Sequence, residues 1–222
     1  VGMAQRQGVH ERILPLECDI TRWQDCTGAV QAAIDRFGVV HGLVNNAGIA
    51  VLDAELAAGR ARKRRFYEHE IDGWRRVIET NITGSFQMAK AIAPKLVAQG
   101  WGRIVNVTTS HTTMVLEGFS PYGPSKAALE AATVIWAKDL AGTGVTVNAL
   151  LPGGVGNTRM VPQSEYAERA RLVQPDAMVA PIIWLMSPRS DGVSGQRFSA
   201  KDWDPALDAS VAVQKAGATG GW

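Results

Sequence analysis

Short apolar runs alternate along the chain with longer segments whose apolar residues recur at helical spacing. The short runs are rich in Val, Ile and Leu, as in buried parallel strands, and predict strands at residues 12–17, 39–44, 103–108, 144–151 and 193–199. The longer segments predict helices at residues 22–37, 72–99, 121–140 and 176–186. Strands that alternate with helices indicate an α/β fold built on a doubly wound parallel sheet.

Residues at the ends of the predicted helices support these boundaries. Thr21 is predicted to cap the first helix, because a hydroxyl oxygen can accept from a free backbone N–H there. Gly38 is predicted to end that helix, since glycine adopts the left-handed conformation readily. Asp72 is the predicted cap of the second helix, and Pro124 suits the first turn of the third, where no N–H is needed.

The length of the chain favours one domain. At 222 residues with 46% hydrophobic content, residues 1–222 are within the range of a single globular unit. Residues 200–222 are rich in Ala, Gly and Ser, which predicts a C-terminal tail that is either mobile or covers a neighbouring subunit. The large apolar side chains of Trp203 and Trp222 indicate that this tail docks on a protein surface.

Charge, apolar run length and cysteine content indicate which partners and which cellular environment to expect. A formal net charge of +2 gives no reason to expect nucleic acid as a partner. No apolar run approaches the roughly 20 residues that cross a bilayer, and the polar start lacks the pattern of a signal peptide. The two cysteines, Cys18 and Cys26, are too few for a disulfide framework and fit a reducing, cytoplasmic environment.

A run of basic residues lies between the second predicted strand and the second predicted helix. It contains Arg60, Arg62, Lys63, Arg64 and Arg65. Such a run usually forms a solvated face. The alternatives are contact with an anionic substrate or with a neighbouring subunit.

Tyr122 and Lys126 carry the clearest candidate chemistry. They are four residues apart at the start of the third predicted helix, so they share one helical face. An ammonium group beside a phenol stabilises the phenolate and lowers the pKa of the tyrosine, which suits proton transfer at a substrate oxygen. An isolated pair at this spacing arises easily by chance, so its interpretation depends on the surrounding motifs.

Four further motifs accompany this pair in a fixed order. They are Asn45-Asn46-Ala47-Gly48, Thr80-Asn81-Ile82-Thr83-Gly84, the strand Gly102–Ser110 ending in hydroxyl residues, and Val145–Gly153 ending in Pro-Gly. Together with Tyr122 and Lys126, this order resembles the short-chain dehydrogenase/reductase family, over nearly the whole chain. The resemblance implies a Rossmann-like domain for binding NAD or NADP and an activity that interconverts an alcohol and a carbonyl.

The resemblance also implies catalytic roles. Tyr122 would be the acid/base, Lys126 would lower its pKa and hold the nicotinamide ribose, and Asn81 would anchor a water that relays the proton. A hydroxyl would orient the carbonyl, and the family's spacing of thirteen residues before the tyrosine gives Thr109. Successive strand residues face opposite sides, so only one of Thr109 and its neighbour Ser110 should face the substrate. Ser110 is slightly favoured, because the strand end can shift by one residue and serine carries no extra methyl.

Cofactor contacts follow from the same resemblance. Asp19, with Ile20 beside it, matches the acidic contact to the adenine amine. The turn Asn45, Asn46, Ala47 and Gly48 matches the segment that passes under the adenosine ribose, where glycine allows close backbone approach. Pro152, Gly153 and Thr158 match the segment that binds the nicotinamide carboxamide. No metal ligand is implied.

One departure from the family concerns the phosphates. The sequence contains no G-x-x-x-G-x-G turn, which in the family receives the pyrophosphate at a helix N-terminus. The chain is therefore expected to be N-terminally truncated, to start near the family's third strand, and to leave the strand at 39–44 with an open edge. The segment that selects NAD or NADP is absent with it.

Charge-assisted hydrogen bonds to the pyrophosphate are each worth about 1.5–3 kcal/mol. Residues 1–222 alone are thus expected to bind either dinucleotide no tighter than roughly millimolar, without measurable turnover. A protein in which a strand, a Gly-rich turn and a helix precede Val1, called the extended form below, is expected to recover both.

The leading hypothesis is thus an NAD(P)-dependent oxidoreductase. Its small-molecule substrate would lie against Met114, Val115, Leu116 and Phe119, and apolar faces on the helices at 73–99 and 121–140 would form a homodimer or homotetramer. One alternative is a truncated, non-catalytic relative that acts through subunit or partner surfaces. Another is a Ser/Lys hydrolase that uses Ser125 or Ser110, which the lack of a G-x-S-x-G turn disfavours.

Overall fold

The computed structural model describes residues 10–50, 65–161 and 168–221, and these form an α/β structure around one five-stranded sheet. The strands are β1 (Gly42–Asn45), β2 (Gly102–Val107), β3 (Val145–Leu151), β4 (Gln196–Ser199) and β5 (Gly217–Thr219), in that spatial order. The pairs β1–β2, β2–β3 and β3–β4 are parallel, and β4–β5 is antiparallel. The predicted parallel sheet is confirmed.

Helices cover both faces of this sheet. They are α1 (Trp23–Phe37), α2 (Ile71–Ile78), α3 (Ser85–Ala98), α4 (His111–Met114), α5 (Tyr122–Asp139), α6 (Val179–Leu185) and α7 (Ala209–Ala216). Short 3-10 turns lie at His10–Arg12, Phe66–Glu68, Arg169–Arg171, Pro175–Met178, Pro188–Ser190 and Ala200–Asp202. A π-helical turn, Glu79–Gly84, joins α2 to α3.

Strand β2 shows how the two faces are built. Successive strand residues point to opposite faces. Ile104 accordingly packs in the core against α1, α3 and α5, whereas Val105 packs in the core against α6 and α7. Every residue of β3 is buried. This two-sided burial explains the continuous apolar runs in the sequence and confirms the doubly wound class.

The predicted strand at 12–17 is wrong. Residues 13–19 have no regular secondary structure, and among the described residues β1 pairs with β2 alone. An extended segment forms a strand only when a neighbour accepts its backbone hydrogen bonds, and none of the described strands lies beside 12–17.

Two predicted caps are also wrong. Arg22, not Thr21, occupies the cap position of α1, and the Thr21 hydroxyl donates instead to Asp19 Oδ1 at 2.8 Å. Asp72 lies inside the first turn of α2, because that helix begins at Ile71 after Glu70. Gly38 ends α1 as predicted, with φ of +81° and its N–H donating to Ile34 O.

Parts of the predicted tail at residues 200–222 pack against the core of this same chain. Trp203 is only 9% exposed and lies 5.5 Å from the ring of Trp184. Ala212 and Ala216, four apart on α7, pack in the same core, and β5 pairs with β4. Small side chains at helical spacing allow this close packing, so the Ala-rich composition reflects a packed helix. Trp222 lies outside the described residues.

The structure covers the predicted basic run only in part. Of the basic run, Arg60 to Arg64 lie outside the described residues, and Arg65 pairs with Glu117 at 2.7 Å.

In the portion of the chain that is described, none of the helices combines the length and the apolar character that a membrane crossing requires.

Candidate active site

The candidate site lies where β1 and β2 end and α5 begins. Ligands of open parallel sheets bind at the carboxyl ends of the strands, and β1, β2 and β3 end at Asn45, Val107 and Leu151. The helices α3 and α5 pack beside these ends. Most of the residues that the sequence analysis selected are found here.

Asn81 connects three parts of the site. It is fully buried in the π-helical turn, and π turns are frequent at functional positions. Its Oδ1 accepts from Ile49 N at 2.8 Å, and its Nδ2 donates to Ile49 O at 2.9 Å and to Ser125 Oγ at 2.9 Å. Both amide hydrogens are therefore used to join the turn after β1 to α5.

Lys126 reaches the end of β2 from the first turns of α5. Its Nζ donates to Val107 O at 2.8 Å and lies 6.0 Å from the centroid of the Tyr122 ring. A Cβ on Gly48 would lie 3.3 Å from both Lys126 Nζ and Asn81 Oδ1. Glycine at position 48 thus lets the turn after β1 approach both side chains, and the structure brings Gly48, Asn81, Tyr122 and Lys126 together.

Burial dominates the electrostatics of this pair. Desolvation lowers the pKa of Lys126 to about 8, because the buried ammonium loses hydration. Desolvation also raises the pKa of Tyr122 above its ordinary value. The sequence predicted the opposite direction for Tyr122 from its spacing to Lys126. That spacing does not reveal how deeply the phenol is buried, and burial opposes its ionisation.

The two candidate hydroxyls have different surroundings. Ser110 is the N-cap of α4, where its Oγ accepts from Thr113 N at 3.2 Å and lies 2.8–2.9 Å from the hydroxyls of Thr112 and Thr113. The Thr109 hydroxyl makes no hydrogen bond to any of the residues that the structure describes, whereas its backbone carbonyl accepts from Arg197 Nη2 at 3.2 Å.

The turn after β1 divides into structural and accessible residues. Asn45 is buried, and its Nδ2 donates to Asn106 Oδ1 at 2.9 Å and to Ser85 O at 3.2 Å. Asn45 therefore ties β1 to β2 and α3. Asn46 and Ala47 are exposed and can face a ligand.

Asp19 and Ile20 lie in the loop before α1. The Asp19 carboxylate accepts from the backbone N–H and the hydroxyl of Thr21, and these bonds lower its pKa. Its side chain is exposed, so an external donor can still reach it. The Ile20 side chain packs closely against Gly84 in the π-helical turn.

The turn after β3 holds the remaining predicted cofactor residues. Gly153 has φ of +83°, and a Cβ there would collide with Ser199 and Lys201. Pro152 O accepts from Lys201 N at 3.0 Å. Thr158 O accepts from Arg169 Nη2 at 2.9 Å, and Arg169 Nε also donates to Asn157 Oδ1 at 2.7 Å. The sequence analysis missed Arg169, which fastens this loop.

A cavity of about 290 Å³ lies between the 3-10 turn at Phe66–Glu68 and the loop that precedes α5. Met114, Val115, Leu116 and Phe119 all line it, as the predicted apolar substrate loop requires. Arg65 and Glu117 form an ion pair among its lining residues. Phe119 lies 6.5 Å from the Tyr122 ring, although Tyr122 itself is not among the residues that line the cavity.

The hydrolase alternative fits these contacts poorly. Ser125 is fully buried, where its Oγ donates to Tyr122 O at 2.7 Å and accepts from Asn81. Ser110 is engaged in capping α4.

Within the described ranges, no group of three His, Cys, Asp or Glu side chains comes together as a metal site.

Comparisons with known proteins agree with this fold. A family model described as short chain dehydrogenase matches residues 2–169. Nodulation protein G of Azospirillum brasilense is 28% identical over 89% of this chain and 79% of its own. Acetoacetyl-CoA reductase of Rhizobium meliloti is 30% identical over 82% of this chain and 75% of its own. A gluconate 5-dehydrogenase from Burkholderia cenocepacia, solved with NADP and tartrate, has a TM-score of 0.69 at 26% identity, covering 82% of this chain and 71% of its own.

The parallel sheet with helices on both faces agrees with the Rossmann-like fold of the chain's solved neighbours. The chain belongs to the short-chain dehydrogenase/reductase family. This is a family of oxidoreductases that use NAD or NADP.

Proposed function

We propose that this chain interconverts an alcohol and a carbonyl, with Tyr122 as the acid/base. The observation that carries the proposal is the convergence of Tyr122, Lys126, Asn81 and Gly48 at the carboxyl edge of the sheet. In the reductive direction the Tyr122 hydroxyl gives its proton to the carbonyl oxygen as the carbonyl carbon gains a hydride. When bound, the nicotinamide ring supplies or accepts that hydride.

The raised pKa of Tyr122 favours one protonation state for this role. A phenol whose pKa lies above its ordinary value is protonated at neutral pH, which is the form that donates a proton during carbonyl reduction. Lys126 is cationic below its pKa of about 8. A cation in this position can stabilise the phenolate that proton donation leaves behind.

The residues present fit a dinucleotide along the carboxyl edge of the sheet. Gly48 and Gly153 let the turns after β1 and β3 pack closely at this edge, Gly48 against Asn81 and Lys126 and Gly153 against Ser199 and Lys201. We propose that Lys126 holds the nicotinamide ribose, that Asn46, Ala47 and Gly48 lie under the adenosine ribose, and that Asp19 accepts from the adenine amine.

Other residues complete the proposed binding surface. Pro152, Gly153 and Thr158 are proposed to bind the nicotinamide carboxamide, and Asn81 to anchor a relay water. Ile20 and Asn45 support the surface through the packing and hydrogen bonds described above.

We propose Thr109, rather than the slightly favoured Ser110, as the hydroxyl that orients the carbonyl. The support is that Ser110 caps α4, whereas the Thr109 hydroxyl has no hydrogen bond to a described residue. The interval of thirteen residues before Tyr122 also falls on Thr109.

The two hydroxyls are separated by a pair of variants in the extended form. Thr109→Val should lower turnover on the order of 10²-fold, because a positioned donor to the reacting oxygen is lost. Ser110→Ala should leave turnover within about twofold and cost about 1 kcal/mol of folding stability, since it removes a helix cap. Steady-state kinetics and denaturant unfolding measure the two effects. A larger loss of turnover in Ser110→Ala than in Thr109→Val would return the role to Ser110.

We further propose a homodimer or homotetramer. Phe86 on α3 and Ile135 on α5 are 46% and 56% exposed, and Phe86 lies 6.5 Å from Trp136. An apolar face of this kind on two adjacent helices is self-complementary across a twofold axis. Light scattering at micromolar concentration should give a closed oligomer, and Phe86→Glu together with Ile135→Glu should give monomers. A monomeric parent protein would contradict the proposal.

The substrate is proposed to be a small molecule with an apolar portion next to its carbonyl. The apolar lining at Met114, Val115, Leu116 and Phe119 supports this. Two free thiols support a reducing, cytoplasmic setting.

A further inference from the structure

A buried ionic cluster lies next to the candidate site. Glu130 is fully buried on α5, four residues after Lys126 and therefore on the same helical face. Its Oε1 lies 2.7 Å from Arg197 Nε of β4 and 3.1 Å from His111 Nε2, and its Oε2 accepts from Thr108 Oγ1 at 3.2 Å. A carboxylate without hydration needs such partners.

Arg197 connects this cluster to the proposed substrate hydroxyl. Its Nη2 donates to Thr109 O at 3.2 Å, while its Nε faces Glu130 Oε1 as an ion pair without hydrogen-bond alignment. The Arg197 side chain is 15% exposed, so Glu130 holds it in a fixed, largely dry position. Among the described residues, the Arg197 contact is the polar bond that fixes the Thr109 carbonyl.

The whole turn after β2 is fastened from α5 and β4. Lys126 bonds Val107 O, Glu130 bonds Thr108 and contacts His111, and Arg197 bonds Thr109 O. The Thr109 hydroxyl is left without such a partner, but its backbone is held on both sides. A rigid backbone with a free hydroxyl is suited to orienting a ligand oxygen.

We propose that Arg197 and Glu130 are positioning residues that set the location of the Thr109 hydroxyl relative to Tyr122. This inference rests on the proposed function. Arg197 acts through the Thr109 carbonyl and does not contact the reacting atoms, and Glu130 acts by holding Arg197. Misplacing a substrate-orienting group by about 1 Å can lower turnover by up to about 10²-fold.

The matched variants are Arg197→Lys and Arg103→Lys. Arg197→Lys keeps a cation beside Glu130 but loses the planar group that reaches both Glu130 and Thr109 O. Arg103 is also a buried arginine, 1% exposed and paired with Asp191, but it lies at the opposite end of β2. Arg103→Lys therefore reproduces the loss of a buried arginine without touching the turn.

The first readout needs no activity. The Thr109 carbonyl and the Ser110 N–H share one peptide plane, so the ¹⁵N order parameter of Ser110 in the 222-residue chain reports on the Arg197 bond. We expect about 0.85 in the parent and in Arg103→Lys, and less than about 0.6 in Arg197→Lys. An unchanged value in Arg197→Lys, or an equal fall in Arg103→Lys, would overturn the proposal.

The second readout is a double-mutant cycle in the extended form. Arg197→Lys should lower kcat about 10- to 100-fold, with KM and the dinucleotide Kd within about twofold. In a Thr109→Val background the same substitution should cause no further loss of kcat, since it acts through that hydroxyl. An equal loss in both backgrounds would overturn the proposal. If the parent extended form reduces no carbonyl, the proposed function fails. The Ser110 order parameter still tests whether Arg197 holds the Thr109 backbone in place.

Discussion

Tyr122→Phe should lower turnover of the extended form by about 10²–10⁴-fold while dinucleotide affinity stays within about twofold. The substitution removes the proposed proton donor and keeps the ring that lies near Phe119. The pKa of Tyr122 is raised by burial, so its proton is present at neutral pH and its loss affects every reductive turnover. Single-turnover oxidation of NADH or NADPH by a carbonyl substrate measures the effect.

Tyr67→Phe is the matched control for this experiment. Tyr67 is 72% exposed and stacks edge-on against Phe66, whereas Tyr122 is only partly exposed and its ring lies 6.0 Å from Lys126 Nζ. The same loss of a phenolic hydroxyl at position 67 should leave turnover unchanged. Near-normal turnover in Tyr122→Phe, or equal losses in both variants, would remove Tyr122 from the mechanism.

Lys126→Met should abolish turnover and at the same time stabilise the fold at neutral pH. Burial lowers the pKa of Lys126 from 10.5 to about 8, so the folded state disfavours the ammonium that the unfolded chain carries. Below about pH 8 the ammonium is present in both states and its desolvation destabilises the fold by roughly 3 kcal/mol. The lost hydrogen bond to Val107 O offsets about 1 kcal/mol of the gain in the variant.

The sign of the pH dependence follows from proton binding. Between about pH 8 and pH 10.5 the unfolded chain binds the proton and the folded chain does not, so the stability of the parent rises with pH in this window. The advantage of Lys126→Met should therefore shrink from about pH 8 upward. Urea unfolding from pH 6.5 to 10 measures it.

Lys138→Met on the same helix provides the control, because Lys138 is exposed. Its stability difference from the parent should be small across the same pH range. An advantage of Lys126→Met that persists unchanged at pH 10 would contradict the assignment of Lys126 as a buried cation kept at a cost in stability.

Periodicity in the sequence was sufficient to predict the four parallel strands and the helical segments α1, α2, α3, α5 and α6, because the sheet is buried on both faces, but it missed α4 and α7. It could not predict the π-helical turn at Glu79–Gly84, since the apolar spacing of α2 and α3 continues through one widened turn. The failure at 12–17 has a different cause. An apolar run specifies a strand only together with a neighbour, and local pattern does not show whether one is present.

Buried charge was the other feature that pattern reasoning missed. Arg103, Glu130 and Arg197 all lie in the interior or at its edge, although charged residues are ordinarily assigned to the surface. The interval of four residues between Lys126 and Glu130 was a usable signal, because it places both on one face of α5. The partner of Glu130 on β4 is far away in sequence and could not be predicted from local spacing.

The candidate catalytic residues were predictable because family motifs gave both their identity and their order. The structure brings Asn81, Tyr122 and Lys126 together, but it places Ser110 in a capping role that spacing alone could not show. The direction of the Tyr122 pKa shift was also beyond local reasoning, since it depends on burial by segments distant in sequence.

The central claim is that this chain, as part of the extended form, catalyses hydride transfer between a nicotinamide cofactor and a carbonyl. The most direct measurement uses the extended form with NADH or NADPH carrying deuterium at both C4 positions, and a panel of small apolar ketones. Mass spectrometry of the product should find one deuterium on the carbinol carbon, and Tyr122→Phe should remove most of it. A folded protein that binds the dinucleotide but yields no labelled alcohol from any carbonyl would contradict the claim and favour a non-catalytic relative that acts through its surfaces.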